Sequence, residues 1–280
     1  NVLSLQNKRG GVVLRKLIVL MTDFGLRDAF VASMKGVILS ICPDVNIVDL
    51  SHEVDSFDVM HGALLLSSSA KFFPDGTIFL GVVDPGVGTE RRGIVVETRR
   101  HVAVGPDNGL FSFLIENEGS VGVYEIRDKS LLLDLPFETF HGLTVFAPVA
   151  AHIANGTPPS SVGPRIYDYV KISLPKPQVC GSKIYSTVLH VDRFGNIITG
   201  IPVETLCGMN VKQGAKLKLT SKNKTVEATL EKSYGYVPAG SFVFVLDSYG
   251  FLELAVNQGN AARSLDLKRG DPIEINLSAP

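Results

Sequence analysis

The chain has 280 residues, 45% hydrophobic and 20% charged, an ordinary globular composition spread over more length than one compact core usually serves. Lys and Arg number 27 against 28 Asp and Glu, a net charge of −1, which leaves no electrostatic footprint for a nucleic acid or an anionic membrane. No apolar run is long enough to span a bilayer, and the dispersed Cys42, Cys180 and Cys207 read as reduced core residues of a cytoplasmic protein.

Residues 1–15 are polar and show no clear period. The apolar run that follows is too short for a secretory leader and has no small-residue cleavage site after it. It reads instead as a strand over 16–22 (KLIVLMT), buried on both faces. Asp28 is placed to cap a helix whose apolar residues recur as Phe30, Val31, Met34, Val37, Ile38 and Ile41, stopped by Pro43. A strand over 46–50, a helix over about 56–73 and a buried strand over 77–83 come next, the last ending in Asp84-Pro85-Gly86-Val87-Gly88. Strands over 93–98 and 101–104, a short helix near 110–115, a strand over 121–126 and a helix over 144–154 complete the first half. Strands alternating with helices predict a Rossmann-like, mostly parallel α/β domain over 16–172. Residues 157–177, rich in Pro, Ser and Gly, read as a linker or domain edge. Beyond residue 183 helical periodicity fades. Strands over 185–191, 216–220, 225–230, 241–246, 251–256 and 272–277 predict a small antiparallel β-barrel-like domain over 178–280.

Asp23 and Asp84 each follow an apolar strand, where open α/β sheets bind ligands and a carboxylate can accept from a ribose diol; a cap or turn aspartate is the plain alternative for either. The glycines after both would let a ligand approach the backbone. The 84–92 loop matches neither a GxGxxG nor a Walker pattern, which disfavours dinucleotide and triphosphate readings. One of Arg91 and Arg92 is expected to be a solvated charge. His141, between Phe140 and Gly142, has no partner at metal-ligand spacing, so no metal site is predicted. Pro106-Asp107-Asn108-Gly109 and Asp247-Ser248-Tyr249-Gly250 read as turns. Asp192-Arg193-Phe194-Gly195-Asn196 reads either as a hairpin turn or as a place where Asn196 pairs with a purine edge while Phe194 stacks on it.

Taken in order, the segments TDFG (22–25), 35–54, 72–88, PDNGL (106–110), TFHG (139–142), 147–156, DRFGN (192–196) and DSYGFLELAVN (247–257) resemble the S-adenosylmethionine hydroxide adenosyltransferases, relatives of the S-adenosylmethionine-dependent fluorinase and chlorinase. The resemblance covers nearly all the chain after Arg15. It implies hydrolysis of S-adenosylmethionine to adenosine and methionine without a cofactor. It also implies a homotrimer, each active site lying between one subunit's N-terminal domain and its neighbour's C-terminal domain. Asp84, Arg91 and His141 are implied as the catalytic trio of the water-using branch; the halogenases have a tyrosine at the position of Asp84 and a serine at that of Gly142. Asp23 would hold the ribose hydroxyls, with Phe57, Val87 and Phe140 lining the substrate. Phe194 and Asn196 would hold the adenine with backbone near Val256 and Asn257, and Asp192 and Ser248 the methionine ammonium and carboxylate. The halogenases carry an arginine where this chain has Tyr249, so the carboxylate is held differently here. Which of Asp84 and His141 takes the proton stays open on sequence. So do two other readings: a non-catalytic adenosine or S-adenosylmethionine binding protein, and a metal-dependent nucleotide hydrolase built on Asp23, Asp84 and His141.

Overall fold

The computed structural model describes residues 16–277; residues 1–15 and 278–280 lie outside them. The described chain forms two compact units, divided between Ser173 and Leu174.

In the first unit, β1 (Leu17–Thr22), α1 (Phe30–Ile41), β2 (Asn46–Ser51), α2 (Val59–Ala70) and β3 (Ile78–Val82) run in succession. They are followed by β4 (Gly93–Thr98), β5 (Val102–Pro106), α3 (Ser112–Glu118), β6 (Ser120–Glu125) and a π-helical turn over Gly142–Phe146 that continues into α4 (Ala147–Ala154). The sheet order is β2-β1-β3-β5-β4-β6, with β4 antiparallel to both neighbours and the other pairings parallel. The chain leaves β1 toward β2 and then crosses to β3 on the other side, so the strand order reverses between β1 and β3. Right-handed crossovers in opposite directions put helices on both faces. Accordingly α1 packs with α4, and α2 with α3. The continuous apolar runs of β1 and β3 are buried because both faces are covered. Asp23 is the residue after β1 and Asp84 the second after β3, so both stand at the switch point.

Three local expectations shift. The cap position of α1 is Ala29, one residue beyond Asp28, and no side chain caps that helix. α2 is shorter than predicted because Phe57 takes a left-handed φ of 66°, which no helix tolerates, and Asp58 then caps the first turn by accepting from the His61 N–H at 3.0 Å. The 157–177 stretch is held to the first unit over much of its length. Val162, Pro164 and Val123 exchange backbone hydrogen bonds with Arg127, Glu125 and Ile166, and the Val170 N–H donates to Asp107.

The second unit contains β7 (Gln178–Cys180), β8 (Lys183–Val191), β9 (Ile197–Pro202), α5 (Val203–Gly208), β10 (Lys216–Ser221), β11 (Lys224–Thr229), β12 (Phe242–Leu246), β13 (Phe251–Val256), α6 (Ala261–Leu265) and β14 (Pro272–Leu277). All strand pairings are antiparallel, in the order β11-β10-β14-β8-β9-β13-β12, with β7 beside β8. A parallel bridge between Leu230 and Phe244 joins the two end strands, and the Glu231 N–H donates to the Phe244 carbonyl at 2.8 Å, which nearly closes a barrel. Its interior is filled by Ile184, Val188, Leu217, Phe244, Leu254 and Ile275. β9 escapes prediction because its first five residues are all buried, leaving no alternation to read. Of the cysteines, only Cys42 is a core residue. Cys180 lies on the exposed β7 and Cys207 on the outer side of α5, and all three are free thiols. No helix among the described residues is long and apolar enough to cross a membrane.

Candidate active site

The loop after β3 is built to return on itself. The Thr89 N–H and hydroxyl both donate to the Gly86 carbonyl, at 3.2 and 2.7 Å, and the Arg91 N–H donates to the Thr89 hydroxyl oxygen at 3.3 Å. This turn brings Arg91 back over Asp84. Arg91 Nη2 donates to Asp84 Oδ2 at 2.6 Å and to His141 Nδ1 at 3.0 Å, while Nη1 donates to the Arg92 carbonyl at 2.9 Å. The guanidinium carbon sits 5.3 Å from the centroid of the buried Phe146 ring. Asp84, Arg91 and His141 are therefore one hydrogen-bonded unit, assembled from the end of β3, the start of β4 and the turn that opens the π-helical segment.

The side chains of Arg91 and Asp84 are only 9% and 5% exposed. Burial raises the Asp84 carboxyl above its ordinary value despite the opposing charge of Arg91, and lowers the Arg91 guanidinium despite Asp84. Asp84 Oδ1, also buried, has no hydrogen-bond partner among the described residues. A guanidinium can only donate, so His141 Nδ1 is an acceptor and the ring proton resides on Nε2, which lies 3.0 Å from Glu138 Oε2. Of the two candidate bases, Asp84 is thus the one with an uncommitted acceptor.

Asp84 and His141 of the trio border a cleft of about 130 Å³, lined also by Phe24, Phe30, Val82, Val87, Thr139, Phe140 and Gly142. That is near the size of an engineered apolar cavity of ~150 Å³ that holds benzene, so the cleft takes one ring-sized group at a time. Phe24, Phe30 and Phe140 pack edge to face, with centroids 5.2–5.8 Å apart. A Cβ on Gly142 would press on the Phe140 ring at 3.0 Å and on the Met34 sulfur at 3.2 Å. Asp23 lies immediately before Phe24, and its Oδ2 accepts from the Phe57 N–H at 2.8 Å. That bond holds Phe57 in its left-handed conformation with the ring 70% exposed.

The remaining predicted residues lie in the second unit. Residues 192–196 form the β8–β9 hairpin loop. Asp192 Oδ1 accepts from the N–H groups of Phe194 and Asn196, at 2.9 and 2.8 Å, and Oδ2 from the Asn196 amide at 2.9 Å. Asn196 is buried and engaged in the turn, and Phe194 is 74% exposed. Asp192 and Ser248 line one cleft. The Val256 side chain points into the barrel core, so only its backbone can meet a ligand, and the Asn257 amide donates to the Val237 carbonyl at 2.7 Å.

Both arginines of the loop are paired, against the expectation of one solvated charge. Arg92 donates to Asp107 Oδ2 at 2.7 and 3.0 Å and to Asp168 Oδ1 at 2.9 Å. The 106–109 turn does more than reverse the chain. Asn108 donates to the Val83 carbonyl at 2.8 Å and so fixes the backbone just before Asp84. Sequence reasoning missed Phe24, Phe30, Glu138 and Asn108. Phe24 was signalled by its place in TDFG, whereas Phe30 falls in the apolar period of α1 and reads as core.

Family models describe two parts of the chain: residues 18–163 match the SAM hydroxide adenosyltransferase N-terminal domain and residues 186–274 the corresponding C-terminal domain. An (R)-S-adenosyl-L-methionine hydrolase of Methanocaldococcus jannaschii is 36% identical, over 92% of this chain and 95% of its own length. A fluorinase of Nocardia brasiliensis is 29% identical, over 94% and 97%. The crystal structure of an uncharacterized conserved protein from Thermotoga maritima superimposes with a TM-score of 0.89 at 39% identity, covering 92% of this chain and 99% of that one.

Proposed function

We infer that this chain, which belongs to the SAM hydroxide adenosyltransferase family, is an enzyme that cleaves S-adenosyl-L-methionine with water, releasing adenosine and L-methionine. The observation that carries its mechanism is the Asp84–Arg91–His141 unit at the edge of an aromatic cleft. The sulfonium leaves as a neutral thioether, so the enzyme's task is to hold a nucleophile in line behind C5′. Positioning is worth roughly 7–11 kcal/mol and a general base about 10²–10⁴-fold.

A water that donates to Asp84 Oδ1 fills the one vacant acceptor of the unit. As it attacks C5′, the C5′–S bond breaks, the electron pair leaves on sulfur, and Asp84 takes the water proton. Arg91 stabilises the hydroxide character that develops on the water as its proton passes to Asp84, and His141, itself held by Glu138, holds Arg91. Asp23 accepts from the ribose hydroxyls and Phe57 flanks the substrate. In the second unit Phe194, Asn196 and the backbone near Val256 and Asn257 meet the adenine, with one N–H of the Asn196 amide donated to Asp192 to hold that loop. The small size of the first-unit cleft supports a homotrimer in which a neighbour's second unit completes each site. Free thiols on the surface support a cytoplasmic location.

Arg91 occupies the space between Asp84 and His141 that a metal ion would need, and the described residues contain no group of three or more His, Cys, Asp or Glu arranged to hold one. Incubation with S-adenosylmethionine is therefore expected to give adenosine and methionine in equal amounts, with the rate unchanged by EDTA. A halide at the water position would face the Asp84 carboxylate at close range, so high chloride or fluoride yields no 5′-halo product. Binding without turnover would favour a sensing role. Loss of turnover on EDTA, restored by a divalent ion, would favour the metal-dependent hydrolase, and 5′-chloro-5′-deoxyadenosine as main product would refute the water-using assignment.

A further inference from the structure

The second unit carries a polar cleft of about 250 Å³. Carboxyl groups reach it from three elements: Asp192 from the β8–β9 loop, Asp247 from the β12–β13 turn and Glu253 from β13; Lys232 is the basic residue on its wall. Glu253 differs from the other two. It alternates with Leu252 and Leu254, which face the barrel core, so its side chain stands on the outer face of β13. There it is covered, with 3% of its surface exposed. The Tyr234 hydroxyl hydrogen-bonds the carboxyl, and Oε1 is left with no partner among the described residues. Burial first, then the charges of Asp192 and Asp247, push the carboxyl up to about 7, and burial with the same acidic neighbours keeps the Tyr234 and Tyr249 hydroxyls neutral. A half-satisfied carboxyl in an acidic cleft calls for a cation with several N–H groups. Asp192 alone serves such a cation poorly, since its oxygens already accept three hydrogen bonds from its own turn.

We propose that Glu253 is a further recognition residue for the α-ammonium of the substrate's amino-acid half, acting with Asp192, so that ammonium binding and ionisation of the Glu253 carboxyl are coupled. The proposal rests on the hydrolase reading. An ammonium favours the carboxylate, so affinity rises with pH through the free carboxyl's midpoint and falls in acid.

The test compares wild type with Glu253→Gln on S-adenosylmethionine and on 5′-dimethylsulfonio-5′-deoxyadenosine, which keeps the sulfonium and lacks the amino acid. Between pH 6 and 7.5 the wild-type KM for S-adenosylmethionine should fall roughly five- to eightfold. Glu253→Gln should raise that KM at pH 7.5 at least about tenfold, flatten its pH dependence and leave kcat nearly unchanged. The analogue's KM should be the same in both proteins. An unchanged KM and pH profile, or an equal rise for both substrates, would overturn the proposal.

Folding is a separate readout. The carboxyl titrates higher in the folded chain than in the unfolded one, so the folded state binds the proton more tightly. Stability then falls as pH rises from about 4.5 toward 7. Glu253→Gln avoids this loss and should melt higher than wild type at pH 8; a lower melting temperature would mark Glu253 as structural and overturn the proposal. Absence of adenosine release by wild type would remove the hydrolase reading instead. Titration calorimetry of intact S-adenosylmethionine into both proteins would then read the same pH-dependent difference in Kd.

Discussion

Replacing Asp84 with Asn is expected to lower kcat by about two to four orders of magnitude while KM changes little, the loss expected for a general base. Asparagine keeps the shape, and its carbonyl can still accept from Arg91 Nη2, so the change isolates the proton acceptor. Burial raises the Asp84 carboxyl, so the folded protein holds that proton more tightly than the unfolded chain does. The ionised carboxylate therefore costs stability as pH rises through this window, and Asp84→Asn removes that pH dependence while leaving the buried Arg91 guanidinium without its counter-charge. Catalysis has the opposite sign, because the base works ionised. Wild-type kcat should fall in acid with a midpoint above the ordinary carboxylate range, and Asp84→Asn should lose that limb. Arg91→Ala removes the cation from a nearly dry pair and leaves a buried carboxylate alone, so it should cost about 3–5 kcal/mol of stability as well as turnover. His141→Ala lowers kcat through Arg91. Double substitutions within the trio should add little to the worst single one, because members of a catalytic unit are not additive. Asp23→Ala, by contrast, should mainly raise KM. Steady-state kinetics beside melting curves decide each case, and a folded, fully active His141→Ala protein would remove His141 from the mechanism.

How much of this could be read from the chain depended on whether the cause was local. The runs of β1 and β3 announce themselves because a strand covered on both faces needs apolar residues at every position. Turns such as 106–109 and 247–250 are equally plain, since Asn, Asp and Gly supply their own hydrogen bonds and dihedrals. Contacts made only in three dimensions were not legible from pattern. Nothing in the spacing of Asp84, Arg91 and His141 shows that one guanidinium nitrogen bridges the other two; the resemblance singled out the three residues, and the structure supplies the bridge and the vacant Oδ1. Glu253 is the clearest failure of local reading. In FLELAV it is a single charge in an apolar strand with nothing in the pattern to place it, yet it is buried and the Tyr234 hydroxyl hydrogen-bonds its carboxyl. Asn196 reads as a ligand group from its loop, and the structure adds what no pattern shows, that one N–H of its amide donates to Asp192.

Mixing two inactive proteins should restore activity. Asp84 belongs to the first unit and Asp192 to the second. If each site draws on the first unit of one subunit and the second unit of the next, neither Asp84→Ala nor Asp192→Ala homotrimers contain an intact site. Refolded together at equal concentration, the chains assort at random around the ring. A site is intact when its first-unit donor carries wild-type Asp84 and its second-unit donor carries wild-type Asp192. Each condition holds for half the chains, so about a quarter of all sites regain both residues, through the head-to-tail interface of a closed three-fold ring. If each site drew both residues from one chain, every chain would still lack one of them and recovery would be nil. The two arrangements thus differ between about a quarter of wild-type turnover and the residual rate of the single variants. Mass spectrometry of the intact assembly establishes that mixed oligomers form, and adenosine release then decides. Mixed trimers without recovered activity would rule out the shared site, and a monomeric protein with full activity would rule out the trimer itself.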